Sequence, residues 1–245
     1  VRGAIVSGSH PLLPAAGIDG CAGGWLVVHD TARGLDAYIA PNIAMALAAL
    51  PPQTLAGIDI PVGIPEQGLR QCDVEARQLL GERASSVFPA PLRGVLDVTD
   101  YVEANRIQRE AGRGLSRQTF AVLPKIREVD TWIRRNSGLG PTLHEVHPEL
   151  SFAIWNGDRP MAQPKKSPGG KVHRWKLIDA GFPGARARLT QVLRATAGSA
   201  AFSEDDLCDA IAALWSARRI VGGAHITVPR PLQRDVYGLP MQIKA

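Results

Sequence analysis

Cysteine is scarce in this chain. There are three in 245 residues, Cys21, Cys72 and Cys208, an odd number whose spacing fits neither a disulfide framework nor a zinc pattern. They read as reduced thiols of an intracellular, cytoplasmic protein. Aromatic residues are also few, at 5%, which argues against an extended groove that stacks bases along a single strand. Trp132, Trp155, Trp175 and Trp215 read instead as core or surface anchors. No run of about 18 apolar residues is present, so neither a transmembrane helix nor a membrane partner is expected. The opening "VRGAIVSGSHPLLP" lacks the long apolar segment of a signal peptide and reads as a loose extension over residues 1–15. There is no repeat or low-complexity tract. The Gly-rich "GCAGG" is not a P-loop, because no Lys follows it at the required spacing.

What is present describes a globular chain. Hydrophobic residues make up 45%, enough for a real core, and the length suits a single domain over 16–245 with a substantial insertion. Glycine (25) and proline (19) are abundant, so turns are frequent. The net charge of +5 permits a polyanionic partner without demanding one.

Along the chain, "AAGIDG", "GWLVVHD" and "LDAYIA" read as three strands joined by Gly-rich turns. Residues 41–50 read as a helix and "TLAGIDI" as a fourth strand. A largely helical middle follows, with helices ending at Gly81 and over 99–112 and 116–136, and Pro124 kinking the last or restarting it. "SSVFPAPLRG" is extended or looped because prolines interrupt it. A fifth strand is expected at Leu143–Val146, then a helix, then a basic Gly/Pro-bearing loop, "PKKSPGGKVHRWK". Two short helices precede the clearest one, "SEDDLCDAIAALWSARRIVGG", with Ser203 as N-cap and Gly222 at its end. The tail has the pattern of a terminal hairpin.

Two strands carry an aspartate on an otherwise apolar segment, Asp19 in "GIDG" and Asp59 in "GIDIP". A buried carboxylate is costly unless it is paired or bound to a cation. In the last helix Asp206 and Asp209 are three apart and share a face beside small residues, Ala210, Ala213 and Ala217, which would let the helix lie close against a sheet. Each acid has a plain alternative: a turn for Asp19, a cap for Asp59, the helix dipole for Asp206. Strand alternation sets His144 opposite Glu145. An extended continuation would put His147 on the Glu145 face, as an orienting group, a proton-transfer group or an ordinary hydrogen-bonded histidine. Lys165, Lys166, Lys171, His173, Arg174 and Lys176 form either a phosphate-gripping segment or a solvated loop. Arg70, Asp73 and Arg77 have the spacing of helical ion pairs.

"GIDGCAGGW", "GIDIPVGIP", "RQCDVEARQLLGERASSVFPAP", "HEVHPELSF" and "EDDLCDAIAALWSAR", in that order over residues 16–220, resemble the bacterial and archaeal family called domain of unknown function 429. That family is regarded as a predicted nuclease with an RNase H-like fold. The resemblance implies an α/β fold: a mixed sheet of three antiparallel strands then parallel ones, flanked by helices. A helical insertion at about 63–142 departs from a minimal domain of this kind. It implies that Asp19 bridges metal ions, that Asp59 is a second ligand, and that Asp206 and Asp209 supply a third position, with Glu145 a further catalytic candidate. Mg²⁺ or Mn²⁺ prefers such oxygen ligands, and paired ions can drive phosphodiester cleavage. Nucleic acid, RNA or DNA, is then the expected substrate, with Lys165, Lys166, Lys171 and Arg174 on its phosphates and His147 auxiliary. A nucleotide-dependent phosphotransferase on the same core, or an inactive nucleic-acid or protein-binding module, is the alternative, since a fold does not fix a function.

Overall fold

The computed structural model describes residues 13–136, 138 and 140–245. The extension expected over residues 1–15 lies largely outside them. Strands β1 (Ala15–Cys21), β2 (Gly24–Thr31) and β3 (Gly34–Ala40) form an antiparallel meander. Cys21 pairs with Gly24 across a tight Ala22–Gly23 turn. Gly24 has φ +122°, a conformation that favours glycine. Helix α1 (Ile43–Ala48), capped by the Asn42 side chain, leads into β4 (Leu55–Ile58), which runs parallel to β1. After the inserted segment β5 (Thr142–Glu145) pairs parallel with β4. The resulting order, β3-β2-β1-β4-β5, is consistent with an RNase H-like α/β fold.

The segment between β4 and β5 is helical, as its pattern predicts. It holds α2 (Gln71–Leu80), 3-10 turns at Gly81–Ser86 and Arg93–Val95, α3 (Tyr101–Glu110) and α4 (Arg117–Arg135). Pro124 neither ends nor restarts α4, which runs through it. Beyond β5 come α5 (Pro148–Trp155), α6 (Pro168–Gly181), α7 (Ala185–Ala197) and α8 (Glu204–Val221). Strands β6 (Thr227–Arg234) and β7 (Pro240–Lys244) close the chain as the terminal hairpin, a second, antiparallel sheet. No helix among the described residues is long and apolar enough to cross a membrane.

One expected loop is a helix. "PKKSPGGKVHRWK" enters α6 at Pro168, with Pro at the first helical position and the Ser167 hydroxyl accepting the Gly170 N–H at 3.0 Å. A Cβ on Gly170 would stand 2.0 Å from the Pro164 carbonyl oxygen, so this glycine permits a close turn.

Side chains alternate across the sheet and build a core on each face. Ile18, Val27 and Ile58 pack under α1, α3 and α4, while Leu26 and Val28 pack under α5 to α8. Gly17 of β1 and Gly57 of β4 lie side by side and face α8. A Cβ on Gly17 would sit 2.1 Å from the Ala210 carbonyl oxygen and from the Leu214 nitrogen; one on Gly57 would be 2.7 Å from the Ala213 carbonyl oxygen. The helix backbone rests directly on the strands there. Gly17→Ala is expected to destabilise the fold by about 3 kcal/mol or more, since helix backbone cannot yield as a side chain does. Chemical denaturation measures this, and Gly68→Ala, which meets no neighbouring atom within 4 Å but has φ +68°, is the comparison for backbone strain alone.

Candidate active site

The two Gly-Ile-Asp triplets are set in register. Gly17 faces Gly57 and Ile18 faces Ile58 on adjacent parallel strands, and the Asp59 N–H continues the ladder to the Ile18 carbonyl at 3.1 Å. Asp19 and Asp59 each lie two residues beyond a glycine that touches α8, so both carboxylates emerge on the α8 side of the sheet. On α8, Asp209 lies one turn before Ala213, the residue against Gly57. Asp19, Asp59 and Asp209 all line one cavity of about 490 Å³.

Burial and mutual repulsion raise these acids. Asp19 is held well above the usual carboxylate range, first by desolvation and then by Asp59, Asp209 and Asp206. Desolvation pushes Asp59 up to about 6, although Lys165 draws it down. Asp209 also stands at about 6, raised by desolvation and Asp59 against the pull of Lys165. The Lys165 ammonium donates to Asp209. Its own burial disfavours the charge, but Asp209, Asp59 and Asp19 outweigh that and leave it raised. Among the described residues no three His, Cys, Asp or Glu side chains are gathered closely enough to hold a metal ion; the lysine is the cation among the acids.

The remaining expected site residues divide. Lys166 and His147 line the cavity. Burial lowers the His147 pKa, opposed by Glu149 and Asp209, and its Nδ1 has no hydrogen-bond partner among the described residues. Glu145 also borders the cavity but is committed elsewhere. It pairs with Ile58 in the ladder and so points to the opposite face, where Arg70 grips it through two 2.7 Å bonds and the Val62 N–H donates at 2.7 Å. Asp206 is not among the cavity-lining residues. It forms a capping box, accepting the Ser203 N–H at 2.8 Å while the Ser203 hydroxyl accepts its own N–H. Arg174 is 2% exposed and binds Glu149 through two 2.7 Å bonds, so it holds α6 to α5 and faces no substrate. Lys171 lies 3.7 Å from Asp205, away from the cavity lining.

Several cavity residues escape a reading by motif. Arg83, Phe88, Gln118 and Val122 also line the cavity, and α4 brings Lys125 in. The available signal was a single aromatic in "SSVFPAP", on a segment that prolines bar from helix and from paired strand. Lys125 has a structural task as well. Its Nζ donates to the Gly24 carbonyl at 2.5 Å and lies 4.5 Å from the Trp25 ring centroid, and its stem fills the space beside Gly20.

Fold and carboxylate arrangement together describe a mixed α/β protein, consistent with an RNase H-like fold, with buried acids at the ends of its two central parallel strands. The family described as "Protein of unknown function (DUF429)" matches residues 17–234, and the chain belongs to it. No curated protein and no solved structure matches the chain.

A carboxyl that ionises near 4 in the unfolded chain and at about 6 in the folded one binds its proton more tightly when folded. Its contribution to stability is present below about pH 4 and lost as the pH rises through about 6. In chelator, Asp59→Asn should therefore be more stable than the parent at pH 7.5, by about 1–2 kcal/mol after allowance for solvent screening, and the advantage should vanish by pH 4. Denaturant midpoints across that range test it; an advantage independent of pH would remove the electrostatic account.

Proposed function

We propose that this chain is a metal-dependent nuclease that hydrolyses phosphodiester bonds of nucleic acid. The observation that carries the proposal is the in-register pair of Gly-Ile-Asp triplets, which sets two carboxylates on neighbouring strands at one cavity, where α8 adds Asp209. The donor set suits Mg²⁺ or Mn²⁺: all oxygen, all acidic, and short of positive charge, with one ammonium against three carboxylates. Asp19, Asp59 and Asp209 line the cavity without forming a closed metal-holding cluster, and they would draw together to hold the metal. When bound, it would supply an activated water and stabilise the leaving oxygen.

The chain's own groups supply the rest. Lys165 tempers the repulsion among the acids and stands at the cavity with Lys166, where a phosphate would arrive. Burial lowers the His147 pKa and so favours the neutral ring; the residue lines the cavity, and its buried, partnerless Nδ1 would orient a water or take a proton if one reached it. Asp206 acts through the helix, by fixing the start of α8. Three free, buried cysteines fit the cytoplasmic setting inferred from the sequence.

The test is incubation of the pure protein with labelled single-stranded, duplex, hybrid and branched substrates in Mg²⁺ or Mn²⁺. Cleavage is expected, with Asp19→Asn and Asp59→Asn reducing it at least about a hundredfold, as loss of a transition-state charge contact does. Asp206→Asn should cost far less. Absence of cleavage, or cleavage untouched by Asp19→Asn, would refute the reading; stabilisation by ATP in its place would favour a phosphotransferase.

A further inference from the structure

The space over the carboxylates is walled. Its lining includes residues 86–91, the cavity-facing positions of α4 from Gln118 to Ile126, and Pro164, Lys165 and Lys166. At about 490 Å³ it falls within the roughly 300–1,000 Å³ of small-ligand sites, room for about one or two nucleotides.

The Val87–Leu92 segment is held by hydrogen bonds from several elements. The Val87 carbonyl accepts from Arg77 at 2.7 Å. The Ala90 N–H donates to Asp73 at 2.8 Å and its carbonyl accepts from Arg113 at 2.5 Å. The Leu92 N–H donates to Gln108 at 3.0 Å. Asp73 is itself fixed by Arg70, the residue that grips Glu145. A segment pinned this thoroughly still leaves its one aromatic ring, Phe88, 42% exposed and facing the cavity beside Val122, 36% exposed. The nearby guanidinium of Arg83 is weakly committed. Its Nε has no hydrogen-bond partner and lies 3.8 Å from Glu149, a carboxylate already doubly bonded by Arg174.

We propose that the site takes nucleic acid as a single strand, seating one unpaired nucleotide with its base against Phe88 and Val122 and a neighbouring phosphate at Arg83. This rests on the nuclease reading for its chemistry but concerns how the substrate is seated. A pocket that sets an exposed ring and other apolar side chains beside charged groups calls for an occupant that is flat and apolar on one part and anionic on another. A nucleotide has that make-up. A duplex hides its base faces in the stack and can present one only by unpairing it, and recognition by phosphate alone would need no ring. The pocket seats a nucleotide or two, so it needs no chain of aromatics.

Fluorescence anisotropy in EDTA, with a labelled single-stranded octanucleotide and a blunt duplex of the same sequence, separates seating from turnover. The single strand should bind about tenfold more tightly than the duplex. Phe88→Ala should remove most of that preference without changing the melting temperature, since the ring is exposed. Arg83→Gln should lower the slope of log affinity against log salt by about one. Equal affinity for both forms, an unaffected preference in Phe88→Ala, or a free nucleoside monophosphate binding as tightly as the octanucleotide would each overturn the proposal. Selective single-strand binding with no cleavage in Mn²⁺ would support the seat while removing the nuclease reading. Cleavage of intact duplex insensitive to Phe88→Ala would do the reverse.

Discussion

The contact on which the rest depends is the one between the backbone of α8 and the two central strands. Gly17 and Gly57, neighbours in the ladder, have no Cβ, and the carbonyl oxygens of Ala210 and Ala213 occupy the space a Cβ would take. Close packing of this kind is shape-specific and cannot be reproduced by larger side chains. It also sets the depth of the helix. A helix held farther off by ordinary side chains would leave Asp209 away from Asp19 and Asp59, and the acids would be three separate surface groups.

Two acidic clusters border the same cavity and have opposite characters. Glu145 and Asp73 share the Arg70 guanidinium, which is 2% exposed and forks between them. A fork of fixed donors suits carboxylates and makes a structural joint, tying β5 to α2 and, through Asp73, to the FPAP wall. The other cluster has the flexible Lys165 ammonium, a single point charge among three acids. It is left electrostatically unsatisfied. Destabilised groups of this kind gather where a protein keeps a site ready for a ligand.

Much of this was legible in the sequence, for identifiable reasons. The strands and α8 carry strong local signals: the apolar runs around Ile18 and Ile58, the Ser203 cap, the terminal Gly222. The repeated Gly-Ile-Asp was visible, and the register of the parallel strands gives it meaning. Lys171 and Arg174 look like their basic neighbours until α6 forms, when helical geometry turns Arg174 inward to Glu149 and leaves Lys171 beside Asp205. Glu145 looks equivalent to Asp59, and differs because alternation on β5 sends it to the other face. Asp206 and Asp209 share a helix face, but the first turn of a helix has unpaired N–H groups and the second does not, so Asp206 is drawn to the cap. Phe88 had no periodicity to announce it. Its position follows from hydrogen bonds to Asp73, Arg113 and Gln108, which are distant in sequence.

The capping box of Ser203 and Asp206 also sets an angle. An α-helix turns by about 100° per residue, so the direction of any side chain depends on where the helix begins. The cap fixes that origin, and the two glycines, one and two turns farther on, leave the helix no freedom to roll. Between the cap and Asp209 the chain therefore behaves as a keyed shaft. A change of length by a single residue there would turn Asp209 by about 100° relative to the cap. The stretch Gly198–Phe202 precedes the key and is tied to the β1–β2 turn, where the Ala201 carbonyl accepts the Gly23 N–H at 2.7 Å. Spacing within 203–209, together with the capping side chains, sets the direction in which Asp209 points.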